Sequence, residues 1–304
     1  MFSSLLLGKV SISLSLILAA LSVNTTIYAK TQQEFYSGSN SISVAQKINT
    51  SAQRVVTLTS LTTDIVSRLD ESKLVGRPDN KLLNGNQQLS KIPTVSQGQT
   101  QPNLEKIVAL KPDLVVGAVG FHEQTIQKLK QLGINTLIVQ VNSWSKLEDV
   151  TRLLAKYINA DPAPLLKKYQ DILSSKLALS PSTLVLVSAQ PILAPNKNSW
   201  AGDMLNQFNM RNLAAQLQGE SPIPGYMSLS PEKILQADPE IIIVTSMGGD
   251  ELIQQLKTQS FWSSLRAVKN NRVYTFNYYG LVNPGSIDAI EQASTKLKQV
   301  LSED

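Results

Sequence analysis

Two glutamates stand at matching points of a phrase that the chain contains twice. The stretch NLEKIVALKPDLVV runs from Asn103 to Val116 and SPEKILQADPEIII from Ser230 to Ile243, an offset of 127 residues. Each has a capping residue, Glu two positions on, Lys-Ile, and Pro seven after the Glu. Asn103 and Ser230 are good N-caps, which puts Glu105 and Glu232 at the second helical position, where the macrodipole stabilises a carboxylate. Pro112 and Pro239 end each helix, and Ile107, Val108 and Leu110, like Ile234 and Leu235, are expected to face a sheet. Singly, each glutamate reads as dipole compensation on a solvated surface. As a pair, they set equivalent negative points on two halves of one molecule, which a partner with matching pseudo-symmetric arginines can read together. Paired carboxylates also hydrolyse glycosides when they flank one bond. Glu105 and Glu232 are expected on outer lobe surfaces instead, so a carboxylate-based hydrolase is a weak alternative.

Other chemistry is limited by composition. There is no cysteine and one histidine, His122. Disulfides, thiolate metal sites, thiol nucleophiles and lipid-modified cysteine are therefore ruled out, and a zinc or manganese site built from about three histidines plus carboxylates cannot form. No G-x-S-x-G, P-loop or G-x-G-x-x-G is present, so an enzyme is not expected. The net charge of +5 is scattered, which gives no footprint for nucleic acid.

The elements that must position these residues alternate. Strands are expected at Arg54–Thr59, Leu74–Arg77, Asp113–Gly117 and Asn135–Val141, with helices at Leu104–Leu110 and His122–Leu132 between them. Continuous apolar strands alternating with helices imply a mostly parallel sheet covered on both faces. From Ser145 to about Ser180 there is no strand candidate. Ser145 with Glu148 forms a capping box opening a helix to about Ile158, and Asp161 with Pro162 opens a second that extends towards Leu179. Alternation then resumes with strands at Thr183–Ser188, Glu240–Thr245 and Arg272–Asn277. Helices are expected at Gly202–Phe208, Arg211–Leu217, Pro231–Ala237, Asp250–Leu256 and Ser286–Leu301, and a Pro/Gly loop at GESPIPGYMS. The fold class is α/β: two Rossmann-like lobes, residues 54–142 and 182–304, joined by a long helical connector, residues 143–181, with a ligand cleft between the lobes.

Ligands of open α/β lobes bind beyond the carboxyl ends of the strands. The loops there hold Ser60, Arg77, His122, Trp144, Trp200, Tyr226, Tyr278 and Tyr279, which are the candidate ligand-binding residues. Aromatic rings offer flat, stiff contact surface for a planar or aromatic ligand, and Arg77 suits an anionic group. His122, at the mouth of a strand, is either a surface or cap histidine or an axial ligand to haem iron, with a tyrosine from the other lobe. Residues 1–29 read as a cleaved signal peptide, with an apolar run of about 14 residues that is short for a bilayer span. Residues 30–53 read as a flexible polar leader.

Over Arg54 to the C-terminus the chain resembles the substrate-binding proteins of ABC importers for ferric siderophores, haem and vitamin B12. The resemblance rests on RVVTLTSLTTDIV, LVGR, NLEKIVALKPDLVVG, SLSPEKILQADPEIIIV and FWSSLRAVKNNRVYTFN, in that order. It implies a monomeric periplasmic protein without a resident cofactor or metal, iron entering only within a bound chelate or haem. It also implies that Glu105 and Glu232 dock on arginines of a permease dimer, which works with its ATPase at the inner membrane. A receptor feeding a sensor remains the other role for such a fold. Ferric siderophore is the first expectation, cobalamin the second and haem the third. The first loop departs from relatives, which have Ser-Pro-x-x-Thr-Glu where this chain has Ser60-Leu61-Thr62-Thr63-Asp64; the resemblance makes that loop ligand-facing.

Overall fold

The computed structural model describes residues 51–97, 100–174, 180–215 and 223–302. The expected signal segment, and the leader as far as residue 50, lie outside them. The last residues assigned to the leader belong to the fold. Ala52 is buried, and its amide donates to the Tyr157 carbonyl at 2.8 Å.

In the first half, β1 (Val55–Thr57), β2 (Leu74–Asp79), β3 (Thr94–Gln97), β4 (Leu114–Ala118) and β5 (Thr136–Val139) form one sheet in the order β3-β2-β1-β4-β5. Every pairing in it is parallel. The second half contains β6 (Ser182–Leu186), β7 (Ser188–Ala189), β8 (Ile192–Pro195), β9 (Arg211–Asn212), β10 (Tyr226–Leu229), β11 (Ile241–Ser246) and β12 (Val273–Asn277). Of these, β12-β11-β6-β9 form a parallel sheet and β10-β8-β7 a small antiparallel one. The orders β2-β1-β4-β5 and β9-β6-β11-β12 are the same order. β1 and β6 begin 127 residues apart, as do β4 and β11, so the repeated phrase is the trace of a repeated lobe.

The repeat extends to the turn that ends each phrase helix. Lys111 and Asp238 both have positive φ, 49° and 36°. The Arg54 guanidinium donates to the Leu110 carbonyl at 2.6 Å, and Arg266 donates to that of Asp238 at 2.9 Å. Each arginine covers carbonyls that the last helical turn leaves without a partner.

Between the lobes run helices Trp144–Ile158 and Ala163–Leu173. The first is capped by Ser143 rather than Ser145: the Ser143 hydroxyl accepts the Lys146 amide at 3.3 Å. Asp161 accepts the Ala163 amide at 2.9 Å, opening the second helix as expected. Residues 175–179, which that helix was expected to reach, lie outside the described residues.

Three other expectations are corrected. Ser60–Thr63 is not a loop but the first turn of helix Ser60–Asp70, capped by Thr59, whose hydroxyl accepts the Thr62 amide. Arg211–Asn212 is a strand followed by a short turn, not a helix; there the Asn212 side chain accepts the Ala214 amide and donates to the Pro195 carbonyl. Such local side-chain bonds compete with helix formation. The stretch before Trp200, expected as a strand-end loop, and the Pro/Gly loop contribute β8 and β10, which pair with Tyr226 opposite Pro195 and Leu229 opposite Ile192.

The lobes share a core. One hydrophobic cluster takes in Val55 and Val116 from the first sheet, Leu147 and Tyr169 from the connector, and Ile243, Phe276 and Leu297 from the second half. Above it, an electrostatic contact joins the halves. Asp64, in helix Ser60–Asp70, accepts the Ile287 amide at 2.6 Å, so it caps the closing helix Ile287–Ser302 from the opposite lobe. Arg68 bonds Asp64 at 2.8 Å and Asp288 at 2.7 Å. Removing the Asp64 carboxylate leaves a buried amide without a partner and a half-buried guanidinium short of its counter-charge. Asp64→Ala is expected to lower unfolding free energy by about 2–3 kcal/mol. Asp288→Ala, on a carboxylate 63% exposed, should cost under about 1 kcal/mol. Equal midpoints for the two variants in urea denaturation would contradict this ranking.

Candidate functional site

The parallel strands of both lobes end towards loops that carry the candidate side chains. In the first lobe, β4 runs into Val119-Gly120-Phe121-His122. Gly117 is required beneath this turn, because a Cβ there would lie 2.9 Å from the His122 Cβ. His122 is half-buried at the start of helix Glu123–Gln131. Its Nδ1 accepts the Ala118 amide at 3.1 Å. The neutral ring therefore carries its proton on Nε2 and presents a donor outward. An iron ligand of the usual kind binds through Nε2 and donates from Nδ1, the reverse of this arrangement.

Arg77 does not stand in the open. It is 6% exposed, and its Nε donates to the Leu89 carbonyl at 2.7 Å and its Nη1 to that of Pro78 at 3.0 Å. These bonds hold the turn Leu89–Lys91 against β2, so the guanidinium organises backbone rather than reaching into a cleft. Ser60 is likewise buried, in its helical first turn.

The two tryptophans meet each other. Trp144 and Trp200 are each 3% exposed, with ring centroids 5.8 Å apart and planes 18° from parallel. Tyr169 packs edge-on against Trp144 at 6.2 Å. Trp200 Nε1 donates to the Gly280 carbonyl at 2.8 Å. Gly280 sits at φ 92°, and a Cβ there would lie 2.0 Å from the Ala289 carbonyl oxygen, so only glycine fits. The Trp144 amide donates to Asp203 in helix Trp200–Gln207, at 2.7 Å. The expectation that both rings offer faces to a ligand is corrected: stacking uses one face of each, and burial covers the rest.

The tyrosines lie nearer solvent. Tyr226, Tyr278 and Tyr279 are all half-buried. Tyr226 and Tyr278 lie near enough for each to influence the other's ionisation, and Tyr279 packs edge-on against Tyr278 at 5.6 Å. Burial raises the phenols of Tyr226 and Tyr278 above the ordinary tyrosine range, so they stay protonated and act as hydrogen-bond groups rather than phenolates. Of the eight candidates, the structure joins Trp144 with Trp200, and Tyr226 with Tyr278 and Tyr279. Ser60, Arg77 and His122 follow or belong to the neighbouring strands β1, β2 and β4, with the hydrogen bonds of Arg77 and the His122 ring going to backbone.

Exposed apolar residues at loop tips were not singled out from the sequence. Phe121, after β4, is 73% exposed and Met247, after the equivalent β11, is 69% exposed; Ile223, just before β10, is 45% exposed. Phe121 and Met247 follow equivalent strands, one in each lobe, and make those loop tips apolar. The available signal was a bulky apolar residue inside a glycine-containing turn, VGFH and SMGG, where no strand or helix periodicity calls for burial.

The phrase glutamates lie on the short helices that precede β4 and β11. Glu105 and Glu232 are exposed in the first turns of helices Leu104–Ala109 and Pro231–Ala237. Their caps are as expected: Asn103 accepts the Lys106 amide at 2.9 Å and Ser230 that of Lys233 at 3.4 Å. The Ser230 hydroxyl, helped by the backbone amide of Glu232, holds Glu232 below the usual carboxylate range.

With two repeated lobes, a helical connector and ligand-type loops at the strand ends, the architecture can be compared with known proteins. Residues 55–278 match the family described as periplasmic binding protein. The chain belongs to that family. A Bacillus subtilis relative described as an Fe(3+)-citrate-binding protein is 24% identical over 185 residues, 58% of this chain and 57% of its own. That match spans less than two thirds of the relative's length. A vitamin B12-binding protein of Salmonella paratyphi A is 29% identical over 221 residues, 69% of this chain and 78% of its own. An ABC transporter substrate-binding protein of Listeria monocytogenes shares the fold, with TM-score 0.69 and 22% identity over 83% of this chain and 99% of its own. Among the described residues of this binding protein, no helix is long and apolar enough to cross a membrane.

The His122 geometry has a pH consequence. Burial lowers its pKa, the neighbouring Glu123 carboxylate acting the other way. The unfolded chain therefore takes up the extra proton first, so stability from this group is full above about pH 6.5 and declines as pH falls below it. The His122→Gln variant should lose less thermal stability than the wild type between about pH 7.5 and about pH 5.5. An equal or larger loss would contradict the assignment.

Proposed function

We propose that this protein binds a ferric chelate outside the inner membrane and hands it to the permease of an ABC importer. One observation carries the ligand class: the loops after β4 and β11 expose Phe121 and Met247, and the neighbouring half-buried phenols of Tyr226 and Tyr278 stay protonated. That set suits a ligand presenting apolar and polar surface with its metal already wrapped. A bare ferric ion would need anionic or imidazole ligands from the protein. Here the single histidine has its Nδ1 engaged by a backbone amide, and the half-buried phenols of Tyr226 and Tyr278 resist ionisation. Haem held through His122 is disfavoured by the same tautomer. The description of the Bacillus relative as an Fe(3+)-citrate-binding protein points the same way.

Cobalamin is the second reading. It also arrives with its metal enclosed, and the Salmonella relative described as a vitamin B12-binding protein matches over more of both chains. Delivery rests on Glu105 and Glu232, exposed carboxylates at equivalent points of two equivalent lobes. A permease dimer with a two-fold axis would offer the matching pair of basic sites. The interlobe bonds of Asp64, Asp203 and the tryptophan stack keep lobe closure small, so ligand is recognised more by loops than by a wide hinge motion.

Calorimetric titration of the folded protein with ferric citrate, ferric hydroxamate and catecholate chelates, cyanocobalamin and hemin tests the ligand. Saturable binding of one ferric chelate, with the iron-free chelator much weaker, is the expected result. Binding of cyanocobalamin or hemin alone would overturn it. For delivery, the Glu105→Ala, Glu232→Ala double variant should keep wild-type ligand affinity and lose transport into proteoliposomes carrying the importer. Loss of ligand affinity in that variant would place the glutamates at the ligand instead.

A further inference from the structure

Val108 and Leu235 depart from the expectation that they face the sheets. They are 42% and 41% exposed, whereas Ile107 and Ile234 beside them are fully buried. The offset between Val108 and Leu235 is again 127 residues, so both lobes expose the same position of the same helix. Each lies three residues after its glutamate, which puts Glu105 with Val108, and Glu232 with Leu235, on one helix face. Among the described residues only six large hydrophobic side chains are exposed, and two of the six form this pair. An aliphatic side chain left in water once needs no explanation. Left there twice, at one repeat position and beside a charged group, it describes a compound patch present in two copies.

We propose that Val108 and Leu235 are the apolar halves of the two docking patches, each seating beside its glutamate in a socket of the permease dimer that pairs a basic side chain with an apolar recess. This rests on the delivery role proposed above for the glutamates. Charge complementarity selects the occupant. An exposed carboxylate calls for a cation, and a pair related by the lobe repeat calls for two cations related by a two-fold. The division of labour follows from the physics. The carboxylates steer and orient the encounter but are weakened by salt. The aliphatic contacts exclude water around the ion pair and are insensitive to salt, so they supply the part of the affinity that persists at high ionic strength. One patch in each lobe also ties docking to the relative placement of the lobes.

The test measures binding of the full chain to the permease–ATPase complex in lipid nanodiscs, at about 0.1 M and about 0.5 M salt. Val108→Thr with Leu235→Gln keeps side-chain size close and removes apolar surface. It is expected to weaken binding roughly 10-fold at both salt concentrations, leaving the salt dependence and the melting temperature unchanged. Glu105→Gln with Glu232→Gln is expected to flatten the salt dependence. If the Val/Leu variant binds as the wild type does at high salt while the Glu variant is impaired, the apolar role is wrong and the delivery role stands. If the Glu variant, too, binds as the wild type does, or the wild type does not bind, both fall. The single changes Val108→Ala and Leu235→Ala should each show a smaller loss of the same kind; a loss confined to one lobe would overturn the paired-patch assignment.

Discussion

A single carboxylate holds the two halves in register. Asp64 accepts the Ile287 amide across 223 positions of sequence and is itself bonded by Arg68, which reaches on to Asp288. A helix start needs an acceptor for its free amides; this one takes its acceptor from the other lobe. The closing helix is therefore tied to helix Ser60–Asp70 at its first turn, in addition to the apolar face it buries in the shared core. The sequence places Asp64 in a stretch expected to face a ligand; in the fold its carboxylate reaches the start of the closing helix.

The tryptophan stack works alongside that contact. Trp144 opens the connector helix and Trp200 opens a helix of the second lobe. Their rings stack, the Trp144 amide bonds Asp203, and the Trp200 indole bonds the Gly280 carbonyl. Stacked aromatic rings bury much apolar area at low entropic cost. Together with the shared core, this makes the connector part of both lobes rather than a tether between them. Function then falls to what remains outside: loop tips with Phe121 and Met247, half-buried phenols, and the exposed faces of the phrase helices.

The same parallel order recurs in both halves, so the phrase helices and the strands beside them have counterparts on both lobes. The inner faces meet the shared core, the strand ends carry ligand-type loops, and the short phrase helices carry the glutamates outward. Differences between the lobes lie in added elements. The first has β3 at its sheet edge, and the second has the antiparallel β10-β8-β7 sheet, which brings Tyr226 to Tyr278.

The sequence by itself determined the architecture: apolar strands alternating with helices, a strandless middle and one phrase written twice specify two parallel α/β lobes and a helical connector. It also determined the position of both glutamates, because capping and the macrodipole are local effects that need only neighbouring residues. The pairing of β8 with β10 was not legible, since it joins segments about 30 residues apart with helix Trp200–Gln207 and β9 between them. Nor could sequence tell which aromatic and charged loop residues face a ligand. Trp144, Trp200 and Arg77 belong to types suited to ligand contact, yet stacking and backbone carbonyls claim them. Val108 and Leu235 fit an inward-facing pattern, yet remain outside because a helix of six or seven residues is under two turns long and turns Ile107 and Ile234 to the core instead. Those choices depend on which surfaces meet when the lobes close on a common core, and only the tertiary structure decides that.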